Sequence, residues 1–195
     1  MIKLFGAMAC AAFALMEPVT GMAHGAAIAR DTDRAMPLYE QADAPDRGVS
    51  VLFDRGIDDD SEGRHDRAVQ DYGEVIRLDP GNARAFNNRC FDEAILGKLD
   101  LAVADCRESL RLAPNNAGAF DSLGLAYLKL NHLDAAIAYY DAALKIEPAL
   151  AVSLFGRGIA KRRKGDIAGG NADIAAARAI WDNIADNMAK LGVRL

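Results

Sequence analysis

Proline and aromatic residues are scarce in this 195-residue chain, with six Pro, one Trp, and 7% Phe, Trp and Tyr combined. Ala and Leu outweigh the aromatic and β-branched residues that strands favour, so helices are the expected elements. Three cysteines are too few for a disulfide-framework miniprotein. A formal net charge of −5 lacks the basic footprint of a general nucleic-acid binder. With 51% hydrophobic and 26% charged residues, the composition is neither disordered nor collagen-like. No H-E-x-x-H, G-x-S-x-G or phosphate-cradling glycine loop occurs, and His24, His65 and His132 lack metal-ligand spacing. No pair of carboxylates has a visible reason to be buried. The expectation is a non-enzyme with no catalytic residues, no cofactor and no metal.

Residues 1–23 read as an export signal. Lys3 supplies a positive start, Leu4 to Met16 an apolar stretch, and Gly21-Met22-Ala23 the small residues that precede cleavage after about Ala23. The apolar stretch is shorter than the roughly 20 residues that span a bilayer. The mature chain is therefore expected to lack a membrane span and to reside in the periplasm or outside the cell, under oxidising conditions. Cys10 would leave with the signal. Residues 24–48, rich in Ala, Asp, Arg and Pro without an apolar period, read as a flexible lead-in.

From Val49 onward a period dominates. Pro80, Pro114 and Pro148 stand 34 residues apart, and the same step links Ala68, Ala102 and Ala136, and Tyr72, Cys106 and Tyr140. It also links Leu52, Phe86, Phe120 and Leu154, then Gly56, Cys90, Gly124 and Gly158, and the turn residues Gly63, Gly97, Asn131 and Gly165. Within the third unit, Phe120, Leu123/Gly124, Tyr127 and Leu130 follow helical spacing. After Asn131-His132, Leu133, Ala136/Ile137, Tyr140 and Ala143/Leu144 repeat it. This is a helix–turn–helix array in which each pair buries its apolar face only against its neighbours.

These residues resemble tetratricopeptide repeats beginning near Val49, Ala83, Ala117 and Ala151, with units 49–82, 83–116, 117–150 and 151–182 and a capping helix over 183–194. The resemblance implies an all-α, right-handed solenoid of four hairpins plus that cap. The match includes Leu52, Arg55, Gly56, Ala68, Tyr72 and Pro80 in the first unit. In the third it includes Phe120, Gly124, Tyr127, Ala136, Tyr140 and Pro148. Unit one departs at Asp59, where the family carries a large aromatic, so a looser first helix is expected. Unit four departs at Lys161, Gly170 and Asp182.

In the repeat register, Cys90 and Cys106 face one another across the second hairpin. They either bridge its helices or sit as buried thiols in place of Gly and Tyr. Asp58, Asp60, Glu62 and Gly63 imitate the start of a calcium loop, but Val69 stands where a bidentate Glu is required, so they read as a solvated turn. Lys161 to Lys164 read as a solvated basic face or an acidic partner's contact.

The family's geometry turns the first helices toward a concave groove, lined here by Phe53, Ile57, Asn87, Phe91, Asp121, Leu125, Phe155 and Ile159. Six of these eight are apolar, which suits an apolar peptide or amphipathic helix of a protein partner. The C-terminal helix or the 24–48 segment is the intramolecular alternative. Family members that grip a C-terminal carboxylate use Lys, Asn and Arg. Here the matching positions are Phe53, Ile57, Asn88, Gly118 and Ser122, of which only Asn88 fits. The expected role is a protein-interaction module of the cell envelope. The alternative is a structural or assembly subunit, with a homo-oligomer as one form of it.

Overall fold

The computed structural model describes residues 44–194, with side chains from Arg47 onward. The signal segment, most of the lead-in, Cys10 and His24 lie outside the described residues. Within them the chain forms helices joined by short turns, and no strand. The first hairpin is α1 (Ala44–Ser61) with α2 (His65–Leu78), and the second is α3 (Ala83–Ile95) with α4 (Leu99–Leu112). The third is α5 (Ala117–Lys129) with α6 (Leu133–Ile146), and the fourth α7 (Ala151–Lys164) with α8 (Ile167–Ile180). A short α9 (Ile184–Lys190) follows.

Each helix packs on the next in the chain, and α3, α5 and α7 also touch in succession, so the first helices form one side of the stack. The turns explain the hairpins. Gly63, Gly97, Asn131 and Gly165 all hold a positive φ, 75°, 78°, 59° and 102°, which reverses the chain after each first helix. Pro80, Pro114 and Pro148 follow the last residue of α2, α4 and α6 by two positions, where a missing N–H ends the ladder. Asn82 and Asn116, one repeat apart, restart it by accepting from the N–H of Ala85 and Ala119.

Inside each hairpin one contact recurs. A Cβ on Gly56 would lie 2.7 Å from the Tyr72 ring, and one on Gly124 2.6 Å from the Tyr140 ring. Glycine is required there because the tyrosine ring fills the crossing point. In the second hairpin the same two positions are Cys90 and Cys106, joined in a disulfide with Cα atoms 5.4 Å apart. The bridge thus occupies the site of the Gly–Tyr contact. In the fourth, Gly158 and Gly170 approach so closely that a Cβ on Gly170 would meet the Gly158 carbonyl oxygen at 2.6 Å.

Three differences from the sequence reading have physical causes. Helix α1 starts at Ala44, inside the stretch read as lead-in, because Pro45 falls in the first turn, where its absent N–H is unused. Asp59 does not loosen α1: it is buried and accepts from Arg64 Nε at 2.5 Å. The basic run is engaged within the chain in its first half, where Lys161 pairs with Asp173 at 2.9 Å and Arg162 donates to Asn171 at 2.9 Å; Arg163 and Lys164 are exposed, the latter beside Asp134, as a solvated face requires.

Candidate functional site: a groove on the first helices

Ile57, Asn87, Phe91 and Asp121, together with Asn88, Ser122 and Val152, line a hollow of about 290 Å³ shared by α1, α3, α5 and α7. It continues toward the C-terminal end as a second cavity of about 320 Å³, walled by Phe91, Leu125, Val152, Trp181, Met188 and Leu191. Phe91, Asp121 and Val152 belong to both. The first helices therefore bring five of the eight groove residues, Ile57, Asn87, Phe91, Asp121 and Leu125, onto one concavity.

The remaining three are placed otherwise. Phe155 and Ile159 are 0% and 2% exposed, because α9 packs on α7 and adds Ile184 and Met188 to the same apolar cluster. The fourth unit's part of the groove is thus filled by the chain's own C-terminal helix. Phe53 is buried against Tyr72, with the Arg84 guanidinium 4.6 Å from its ring centroid, in a separate hollow with Val49 and Asn82. Leu125 belongs to the core while its edge reaches the cavity.

Asp121, Asn187 and Lys190 bring polar groups to the apolar cavity, and Asp121 sits where it meets the first hollow. The Asp121 carboxylate accepts from the Ser153 hydroxyl at 2.5 Å, and burial pushes it up to about 6. Above it the Tyr140 hydroxyl is buried without a hydrogen-bond partner, and burial raises that phenol. A mainly apolar hollow with a few polar groups, Asp121, Asn187 and Lys190, at its wall can hold an apolar side chain and orient a polar group beside it.

The expectation of no buried carboxylates is corrected. Asp71, Asp105 and Asp173 are buried and paired with Arg55, Arg89 and Arg157, respectively; Arg89 reaches Asp105 at 2.5 and 2.8 Å, and Arg157 reaches Asp173 at 2.7 Å twice. Both partners recur on the 34-residue step, so the signal is present in the sequence. In unit three the pair becomes Leu123 and Tyr139, whose ring stacks on Tyr127 at 5.2 Å. Asp92 and Glu93 are also buried. Burial, reinforced by Asp60, pushes Asp92 up to about 9; burial, reinforced by Asp105, pushes Glu93 up to about 7. His65, read as a turn residue with no metal spacing, sits with Asp60 and Asp92, their ligand atoms within 4.8 Å of one another.

The hairpin pairing, the positive-φ turns and the proline stops define a tetratricopeptide-repeat solenoid. The tetratricopeptide-repeat family model matches residues 117–150, the third unit, so the chain carries a tetratricopeptide repeat within a solenoid of that fold. A comparison with curated protein sequences returns no match. Among solved structures, the thermophilic protein TTC0263 of Thermus thermophilus superposes with a TM-score of 0.67 at 20% identity, over 73% of this chain and 80% of that one. MamA (residues 41 to the end) of Desulfovibrio magneticus RS-1 gives 0.60 at 23%, over 68% and 75%. The second repeat domain of human RPAP3, solved in complex with an HSP70 peptide, gives 0.56 at 26%, over 60% and 98%.

Proposed function

We propose that this chain is a non-catalytic protein-interaction module of the bacterial cell envelope, exported by its N-terminal segment, which holds an apolar segment of a partner protein on its first-helix groove. The observation that carries this reading is the cavity of about 320 Å³ walled by Phe91, Leu125, Val152, Trp181, Met188 and Leu191. A hollow so dominated by apolar side chains is costly to leave wetted. The human RPAP3 domain, solved with a peptide, supports peptide capture as a use of this fold. The carboxylate clamp is not carried over, since Phe53, Ile57, Gly118 and Ser122 stand where charged or amide donors would be needed. No described helix is long and apolar enough to cross a membrane.

A second reading, assembly through the outer face, is favoured by one observation. Leu78, Leu101, Ile146, Ile167 and Ile180, all on second helices, are between 39% and 57% exposed. The two readings separate by site-specific photocrosslinking in the envelope of producing cells. A probe at Ile57 or Trp181 is expected to yield a discrete adduct that Phe91→Asp abolishes. A probe at Leu101 or Ile167 is expected to yield none. Adducts confined to the second-helix positions would overturn the groove in favour of assembly.

A further inference from the structure

We infer that Asp60, His65 and Asp92 form a binding site for one divalent transition-metal ion of the zinc class, at the junction of the first two hairpins. His65 opens α2, Asp60 lies near the end of α1, and Asp92 comes from α3, so the site ties one hairpin to the next. His65 Nδ1 stands 3.3 Å from Asp60 Oδ1 and 2.7 Å from Asp92 Oδ1. Ligands at about 2.0–2.2 Å around tetrahedral zinc are separated by roughly 3.3–3.6 Å. The Asp60 spacing already fits. The Asp92 contact needs to open by about 0.6 Å as the imidazole exchanges its Nδ1 proton for the metal.

The repeat itself points to a ligand. At the positions of His65, units two to four carry Leu99, Leu133 and Ile167. At that of Asp92, units three and four carry Ala126 and Ala160, and at that of Asp60, units two and three carry Ala94 and Leu128. Ala94, Ala126, Leu128 and Ala160 are at most 1% exposed, so these are core positions of the fold. Asp58 in unit one and Arg162 in unit four are the polar exceptions at these positions; only at this junction, where the apolar core divides into two clusters, do three metal-ligating side chains come together. Moreover, the Asp92 side chain is 0% exposed and its Oδ2 has no hydrogen-bond partner. A buried carboxylate oxygen without a donor is costly, and a cation answers it.

The chemistry of the donors selects the class of ion. One imidazole and two carboxylates suit zinc and its neighbours rather than calcium or magnesium, which prefer all-oxygen sets. Three protein ligands leave a fourth position for water. Asp60, the most exposed of the three at 33%, faces the hollow it shares with Tyr72, so the ion has a path to solvent. Glu93, the next residue, is also buried but is not one of the three side chains whose ligand atoms converge.

The test titrates zinc into the EDTA-stripped full chain by calorimetry, with cobalt absorption as the spectroscopic readout. One equivalent should bind with proton release, raise the unfolding temperature, and give the visible bands of a low-symmetry cobalt site. His65→Leu with Asp92→Ala installs the residues that unit three carries at these positions, Leu133 and Ala126, so the metal-free variant should fold at least as stably as the parent. It should lose zinc affinity by more than the roughly 10–100-fold that removal of an outer partner costs. Should that variant not fold, Asp60→Asn at the partly exposed rim must still weaken zinc about tenfold or more. Absence of stoichiometric binding, or affinity unchanged in these variants, would overturn the site.

Discussion

The disulfide offers the sharpest test of how the hairpins are built, because the repeat supplies its own control. Cys90 and Cys106 occupy the positions of Gly56 and Tyr72 in unit one and of Gly124 and Tyr140 in unit three. The bridge closes a loop over a separation of 16 residues, which contributes about 3 kcal/mol through the entropy of the unfolded chain. Two replacements should then differ. Cys90→Ala with Cys106→Ala loses that contribution and also leaves the crossing point underfilled, costing about 3–5 kcal/mol. Cys90→Gly with Cys106→Tyr loses the cross-link but sets a ring over a glycine as in the flanking units. Its cost should fall to about 3 kcal/mol or below. Urea unfolding followed by far-UV circular dichroism, with and without reductant, measures both. Reductant should destabilise only the parent. The reasoning fails if the Ala pair is within about 1 kcal/mol of the parent, or if the Gly/Tyr pair is the less stable of the two.

Other outcomes follow from the same packing. Gly170→Ala should destabilise by about 2 kcal/mol or more, because its new Cβ meets the Gly158 carbonyl, which cannot rotate away as a side chain can. Thermal unfolding of the variant measures this, and an unchanged midpoint contradicts the close approach of α7 and α8. Stability should fall as pH rises from 5 to 7.5 in EDTA. Glu93, held near 7, and Asp121, held near 6, are raised above their unfolded values of about 4.3 and 3.9, so the folded state binds more protons in this window. The stability they favour is complete below the unfolded values and is lost through the folded ones, by on the order of 1–3 kcal/mol. Glu93→Gln with Asp121→Asn should reduce the slope without abolishing it, because Asp92, pushed up to about 9, keeps its proton only in the folded state across this window; a parent more stable at pH 7.5 than at pH 5 contradicts the assignment.

The repeat stride is legible because each turn needs a left-handed residue and each stop a proline, and these stand at fixed steps: Gly63, Gly97, Asn131 and Gly165, then Pro80, Pro114 and Pro148. Small residues such as Ala68, Ala102 and Ala136 are legible for the same reason: all three are fully buried where helices cross. Charged residues mislead, because a charge suggests exposure. Arg55, Arg89 and Arg157 recur in three of the four units, and each pairs with a buried aspartate inside its hairpin, even where, as at Arg55, much of the side chain stays exposed. Asp60, His65 and Asp92 escape a local reading because Asp92 lies 27 residues beyond His65. Only a comparison of each unit with its neighbours marks them as polar groups at apolar positions. Phe155 and Ile159 read as groove residues because nothing in the period says where α9 comes to rest.

Hydrogen–deuterium exchange on the full chain, alone and with the partner captured through a probe at Ile57, addresses the groove most directly. Capture should slow exchange in α1, α3 and α5, with little change in α2, α4 and α6. Protection concentrated on those second helices, with the first helices unchanged, would contradict the account.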